Sequence, residues 1–320
     1  MALAGGVASG KSPKMGEYME YILNKEDLIM LTSEWKGERF EDGRPKVPQS
    51  TLDRIRRCKT EEAWKPLHDK GYKYQFEGEL KKTNPDPNYV MVGRALTVSM
   101  VPTRPDVHMN MLQDGWDQGY SGFFNQWSIA QLQEDDILVV DMFDKNQYGT
   151  FVGGNLSTAI HKKTKRGGAI VWGAVRDLQQ IVEIPDFQMY YRSIAPEGLR
   201  DVLLQGINRP CRIGKAVCMP GDVVLATCEG VLFIPAHMAE EVAEQGEKTQ
   251  VKDIFGFERI KEGRYTSADI DVLTWSKEVM DDFQGWLKTA EAAKPFQHLN
   301  WEKEIAASAN VGKGQFTGLA

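Results

Sequence analysis

The chain reads as an α/β protein, and three observations say so. Apolar, β-branched runs at 90–101, 136–143, 168–175 and 221–235 are bounded by Gly, Pro or Asp, as buried strands are. Helical patterns near 156–165 and 177–183 separate some of them, which is the alternation of an α/β core. With 320 residues and 42% hydrophobic content, the chain can bury such a core and still carry added arms.

Taken in order, residues 1–13 read as a disordered tail. Residues 5–12, GGVASGKS, match the letters of a phosphate-binding loop, but no strand can precede them and Pro13 follows directly. Residues 14–88 read as a helical N-terminal extension. In it Met19, Ile22, Leu23 and Leu28 form one helical face, WKGERFEDGRPKVP (35–48) is a loop, and a second helix runs from Ser50 to about His68. The α/β core spans 89–245. Within it, 102–132 carries Trp116, Tyr120, Phe123, Phe124 and Trp127, either as aromatic packing on the core or as a substrate-facing lid. Residues 246–320 form a helical C-terminal extension and tail. Val279, Phe283, Trp286 and Leu287 fall at helical spacing, and the chain beyond Trp301 reads as frayed.

Charge and composition exclude several functions. A net charge of -6 argues against general nucleic-acid binding, which needs a basic face. No apolar run approaches the ~18 residues of a membrane span. The four cysteines, Cys58, Cys211, Cys218 and Cys228, form no CxxC pair, and the five histidines show no HExxH spacing. Thiols in a reducing compartment follow, with a cytoplasmic location expected. An extracytoplasmic one stays open, since the small, polar N-terminus could be the remnant of a removed signal peptide or a cloning scar.

Two segments carry chemistry. In FVGGNLSTAI (151–160) a glycine pair precedes a helix whose first N–H groups, at Asn155, Leu156 and Ser157, would favour an anion such as a carboxylate. In AIVWGAVRDLQQI (169–181) an apolar strand ends at Val175 and is followed at once by Arg176 and Asp177. Ligands of open α/β sheets collect at that end of a strand. Asp177 there is either a helix N-cap or a metal ligand, and Arg176 offers a planar fork for a carboxylate or enolate oxygen.

Together these segments resemble the RraA-like family, whose signature is a glycine turn, a helix, a strand and then Gly-x-Val-Arg-Asp. Gly154 and GAVRD (173–177) match it. So do VGRALTV (92–98), DDILVVD (135–141), IPDFQMYYRSIAP (184–196), PGDVV (220–224) and EGVLFIP (229–235). The resemblance implies a swivelling β/β/α core, homotrimers or homohexamers, and sites at subunit interfaces. It implies a divalent-metal-dependent lyase, an aldolase or decarboxylase, that releases pyruvate from a hydroxy-2-oxo acid. The family also contains a non-catalytic, protein-binding regulator of ribonuclease E.

Carried over by position, Asp177 anchors Mg²⁺ or Mn²⁺, Arg176 steadies the enolate, and Gly154, Asn155, Leu156 and Ser157 bind the substrate carboxylate. Asp253, or less closely Glu247, corresponds to the acid that a neighbouring subunit contributes. Asn155 departs from the acidic residue common after the glycine. The 102–132 insertion suggests a different or larger substrate. No nucleotide-type glycine loop follows a strand, so a methyltransferase is not expected.

Overall fold

Residues 18–312, with 315 and 318, are described by a computed structural model. The tail and its GGVASGKS segment lie outside the described residues. The chain divides into two compact units, one holding the chain up to Val47 with Tyr74–Ala236, the other holding Pro48–Lys73 with the chain from His237 onward. Helical residues 48–73 and 237–245 therefore belong with the C-terminal helices, and only the remainder of 18–88 belongs with the sheet.

The first unit contains every strand: β1 (Phe76–Glu77), β2 (Lys81–Lys82), β3 (Met91–Pro102), β4 (Asp136–Lys145), β5 (Ala169–Val175), β6 (Met189–Ile194), β7 (Val202–Ile207), β8 (Cys211–Ile213), β9 (Ala216–Cys218), β10 (Val223–Thr227) and β11 (Gly230–Ile234). One sheet runs β1-β11-β10-β3-β4-β5-β6-β2, and β7 pairs with the far half of β3. Strands β3 to β6 are parallel, the flanking pairs antiparallel, and β8–β9 forms a separate hairpin.

Both faces of the parallel strands are buried, which is why their sequences are apolar without alternation. Leu138, Val140 and Met142 of β4 pack toward the crossover helices with Met111, Leu112, Phe124, Trp127 and Ile160. Ile137 and Val139 pack on the opposite face with Cys211, Ile213, Ala216 and Cys218 of the hairpin. The layers are thus hairpin, sheet and helices, the expected β/β/α arrangement. The 102–132 segment forms two helices, Pro105–Asp117 and Phe124–Ala130. Trp127 is buried, stacked on Tyr120 at 5.0 Å and edge-on to Phe124 at 5.1 Å, so the core of this segment is aromatic packing.

Three expectations need correction. Met19, Ile22 and Leu23 form no helical face. Asn24 caps the helix Lys25–Leu31 by accepting the Asp27 N–H, so the helix starts after them, and Leu23 N–H donates to Ile207 O instead. The 50–68 helix is two, Gln49–Ile55 and Thr60–Asp69, and the second begins where the Glu62 carboxylate accepts the Lys59 N–H at 2.9 Å. The chain beyond Trp301 is not frayed throughout. Trp301 packs edge-on to Phe283 at 4.8 Å, and the helix Glu302–Ser308 follows it.

The second unit is helical. Gln49–Ile55 and Thr60–Asp69 pack on Ala239–Lys261, and a separate core joins Phe255, Trp275, Val279, Phe283, Trp286 and Trp301. Among the described residues no helix is long and apolar enough to cross a membrane.

Candidate functional site

Parallel strands deliver their carboxyl ends to one edge of the sheet, and the loops there build the site. After β4 the chain lies beside the end of β5. Phe151 N–H donates to Ala174 O at 3.0 Å, and Arg176 N–H donates to Val152 O at 3.0 Å. The loop after β6 braces it, since the Thr150 hydroxyl donates to Glu197 O at 2.6 Å. These bonds hold the glycine turn against the Arg176–Asp177 step. The approach leaves no room for side chains: a Cβ on Gly153 would stand 2.2 Å from Asp177 Oδ2, and one on Gly154 would stand 2.0 Å from Gln180 Oε1.

The Asp177 side chain does not cap the helix that follows it. The residue occupies the N-cap position of Leu178–Ile181 with left-handed backbone (φ 55, ψ 39), yet makes no side-chain capping bond. Its Oδ2 instead accepts the Gly154 N–H at 3.2 Å, and Arg176 Nη1 approaches the same oxygen at 3.5 Å. Both side chains keep about a third of their surface in water (Arg176 39%, Asp177 31%). Aspartate tolerates this backbone region, which Asp135, Asp144, Asp186 and Asp201 also enter.

Fewer first-turn N–H groups are free than the sequence suggested. Ser157 is buried, and both its N–H and its hydroxyl donate to Gly153 O, at 3.0 and 2.9 Å, so it is a structural bond of the first turn. The Gly154 N–H is taken by Asp177. Asn155 and Leu156 remain, with N–H groups in the first turn, where no intrahelical carbonyl lies four residues back. Gln180, pressed against Gly154, was missed. Its position three residues after Asp177 on a helix was the available signal.

The acids proposed for a neighbouring subunit lie in the second unit. Asp253 has Lys59 Nζ at 3.8 Å, and burial pushes its carboxyl up despite that cation. Glu247 is buried. Burial pushes its carboxyl up, but bonds from Arg54, His298 and Arg57 outweigh that and hold it below the usual range. Glu247 is therefore committed to a local ion-pair cluster.

The donor set speaks to metal chemistry. Asp177 offers one carboxylate whose Oδ1 accepts no bond from the described chain, and no group of three metal-ligating side chains occurs among the described residues. That does not fit a closed zinc-type cage. It fits a hard divalent ion that keeps most of its waters and takes further oxygens from a bound ligand.

The fold and site define an α/β protein whose Arg-Asp step faces a glycine turn at the carboxyl edge of a parallel sheet. The chain belongs to the RraA-like family: the family model for aldolase/RraA proteins matches residues 58–233, more than half of the chain. It is similar to an uncharacterized protein of Methanocaldococcus jannaschii, 23% identical over 44% of this chain and 69% of that one. A Halalkalibacterium halodurans protein named "putative 4-hydroxy-4-methyl-2-oxoglutarate aldolase" is 25% identical over 39% of this chain, which spans 59% of that relative's length. The crystal structure of Streptomyces coelicolor RraAS2, described as an unusual member of the RNase ES inhibitor RraA family, superposes with a TM-score of 0.54. It covers 67% of this chain and 97% of its own at 20% identity, a likeness of fold.

Proposed function

We propose that the chain is a divalent-metal-dependent lyase that breaks a C–C bond in a hydroxy-2-oxo acid and releases pyruvate. The observation that carries this reading is Asp177. It sits where a helix cap belongs, makes no cap bond, and turns its carboxylate onto the glycine turn beside Arg176.

Asp177 would hold Mg²⁺ or Mn²⁺, which when bound supplies Lewis acidity toward the keto and carboxylate oxygens of the substrate. The first-turn N–H groups of Asn155 and Leu156 donate to the substrate carboxylate. Arg176 donates to the oxygen where charge gathers as the C3–C4 bond breaks, an interaction stronger in the transition state than in the ground state. The Gly154 N–H and Arg176 orient Asp177, and the glycine turn keeps side chains out of the space the substrate needs. Asp253, paired with Lys59, is not required by this reading. Assembly into a homotrimer or homohexamer, which would add residues of a second copy to this half-open edge, belongs to the same proposal.

The test is a lactate-dehydrogenase-coupled pyruvate assay over a panel of 2-oxo acids that includes 4-hydroxy-4-methyl-2-oxoglutarate and oxaloacetate, with and without chelator. The reading expects turnover of at least one substrate that chelator abolishes and Mg²⁺ or Mn²⁺ restores. No turnover across the panel with metal present would instead favour the regulatory, protein-binding role.

A further inference from the structure

We propose that a cleft formed by the two inserted helices and the loop before β7 binds a small aromatic carboxylate. The cleft holds about 410 Å³, within the range of small-molecule sites. Neither Arg176 nor Asp177 lines it, and the inference stands independently of the lyase reading.

Most of the cleft lining is apolar (Pro105, Met109, Phe123, Phe124, Leu199 and Val202), with the His108 imidazole and Thr103 beside it. Met109 and Phe123 line it while keeping 56% and 52% of their surface in water. Leaving such side chains wet is unfavourable, and a flat ring laid against them would remove that surface from water. Phe124 forms a buried part of the lining, and the His108 ring meets it edge-on at 5.8 Å.

The charge at one end points to an anion. Arg200 lines the cleft. Among the described residues, it is the one arginine of the first unit with neither an ion pair nor a hydrogen bond; Arg39, Arg44, Arg94, Arg104, Arg166, Arg176, Arg192, Arg209 and Arg212 all have partners. Gly149 brings a second cation beside it. A Cβ built there would stand 2.9 Å from Arg200 Cγ and 3.1 Å from Lys145 Cε, and the Lys145 side chain likewise makes no ion pair or hydrogen bond among the described residues. A planar guanidinium suits a carboxylate. Asp201 is the carboxylate on the lining, so Arg200 and the adjacent Lys145 leave about one net positive charge, which suits a ligand with a single negative charge rather than a polyphosphate.

The test is calorimetric titration of the full chain with benzoate, phenylacetate and indole-3-acetate, and with the matching neutral amides. At least one acid should bind saturably and its amide about tenfold more weakly, as a lost charge-assisted contact implies. Phe123→Ala and Arg200→Gln should each weaken the acid about tenfold with an unchanged circular dichroism spectrum. Arg176→Ala should bind it as the wild type does. Absence of binding by all three acids, equal affinity of acid and amide, or affinity indifferent to Phe123→Ala and Arg200→Gln would overturn the assignment. So would loss confined to Arg176→Ala, which would place the probe at the other site.

Discussion

Asp177 and its neighbours are where a change of a few atoms has the largest expected consequence. Arg176→Ala removes a charge-assisted contact made as negative charge develops, so kcat/KM for a pyruvate-releasing substrate should fall about ten- to a hundredfold. Arg176→Lys should recover part of this, because a point charge replaces only some of a planar fork. A folded Arg176→Ala protein with wild-type kinetics would reject the role. Gly153→Ala tests the turn. Its methyl would occupy space 2.2 Å from Asp177 Oδ2, so the carboxylate must move, and activity should fall at least about tenfold while the α/β spectrum persists.

At the scale of elements, legibility followed burial. The central strands could be read because both of their faces are covered, so β5 and residues 137–140 of β4 are continuous apolar runs. Strands β6 to β9 could not. MYYRSI carries Arg and Ser toward its end, and the hairpin strands are three residues each, too short for any period to show. The apolar positions before Leu28 matched a helix by spacing, but Asn24 set the start of the helix and left them extended. The glycine turn and the Arg-Asp step were legible as separate motifs. Their meeting depends on backbone bonds from Phe151 to Ala174 and from Arg176 to Val152, which no local pattern encodes. The inserted helix Phe124–Ala130 makes its own prediction. Trp127 is 1% exposed at the centre of an aromatic cluster, so Trp127→Ala should destabilise the first unit by about 3–5 kcal/mol in urea titration. A shift within error would mean the cluster is not a structural centre.

At the scale of the whole molecule, a sheet unit is joined to a helical unit, and among the buried acids of the sheet unit Asp222 gives stability a clear dependence on pH. Asp222 is buried, which pushes its carboxyl from 3.8 to about 7 against a single hydrogen bond from Met219 N–H. The folded state therefore holds this proton more tightly than the unfolded state. The stability Asp222 contributes is full below about pH 4 and is lost as the pH rises to about 7. Asp222→Asn keeps an oxygen for the Met219 N–H and should flatten that decline, read as urea midpoints at about pH 5 and about pH 8. An unchanged slope would show that Asp222 titrates normally. The functional account rests on the carboxylate of Asp177, and Mn²⁺ titration by calorimetry tests it most directly. Asn tolerates the same left-handed backbone, so Asp177→Asn should stay folded. The account predicts one Mn²⁺ site per chain in the wild type and none in Asp177→Asn. Equal Mn²⁺ affinity in the two folded proteins would contradict it.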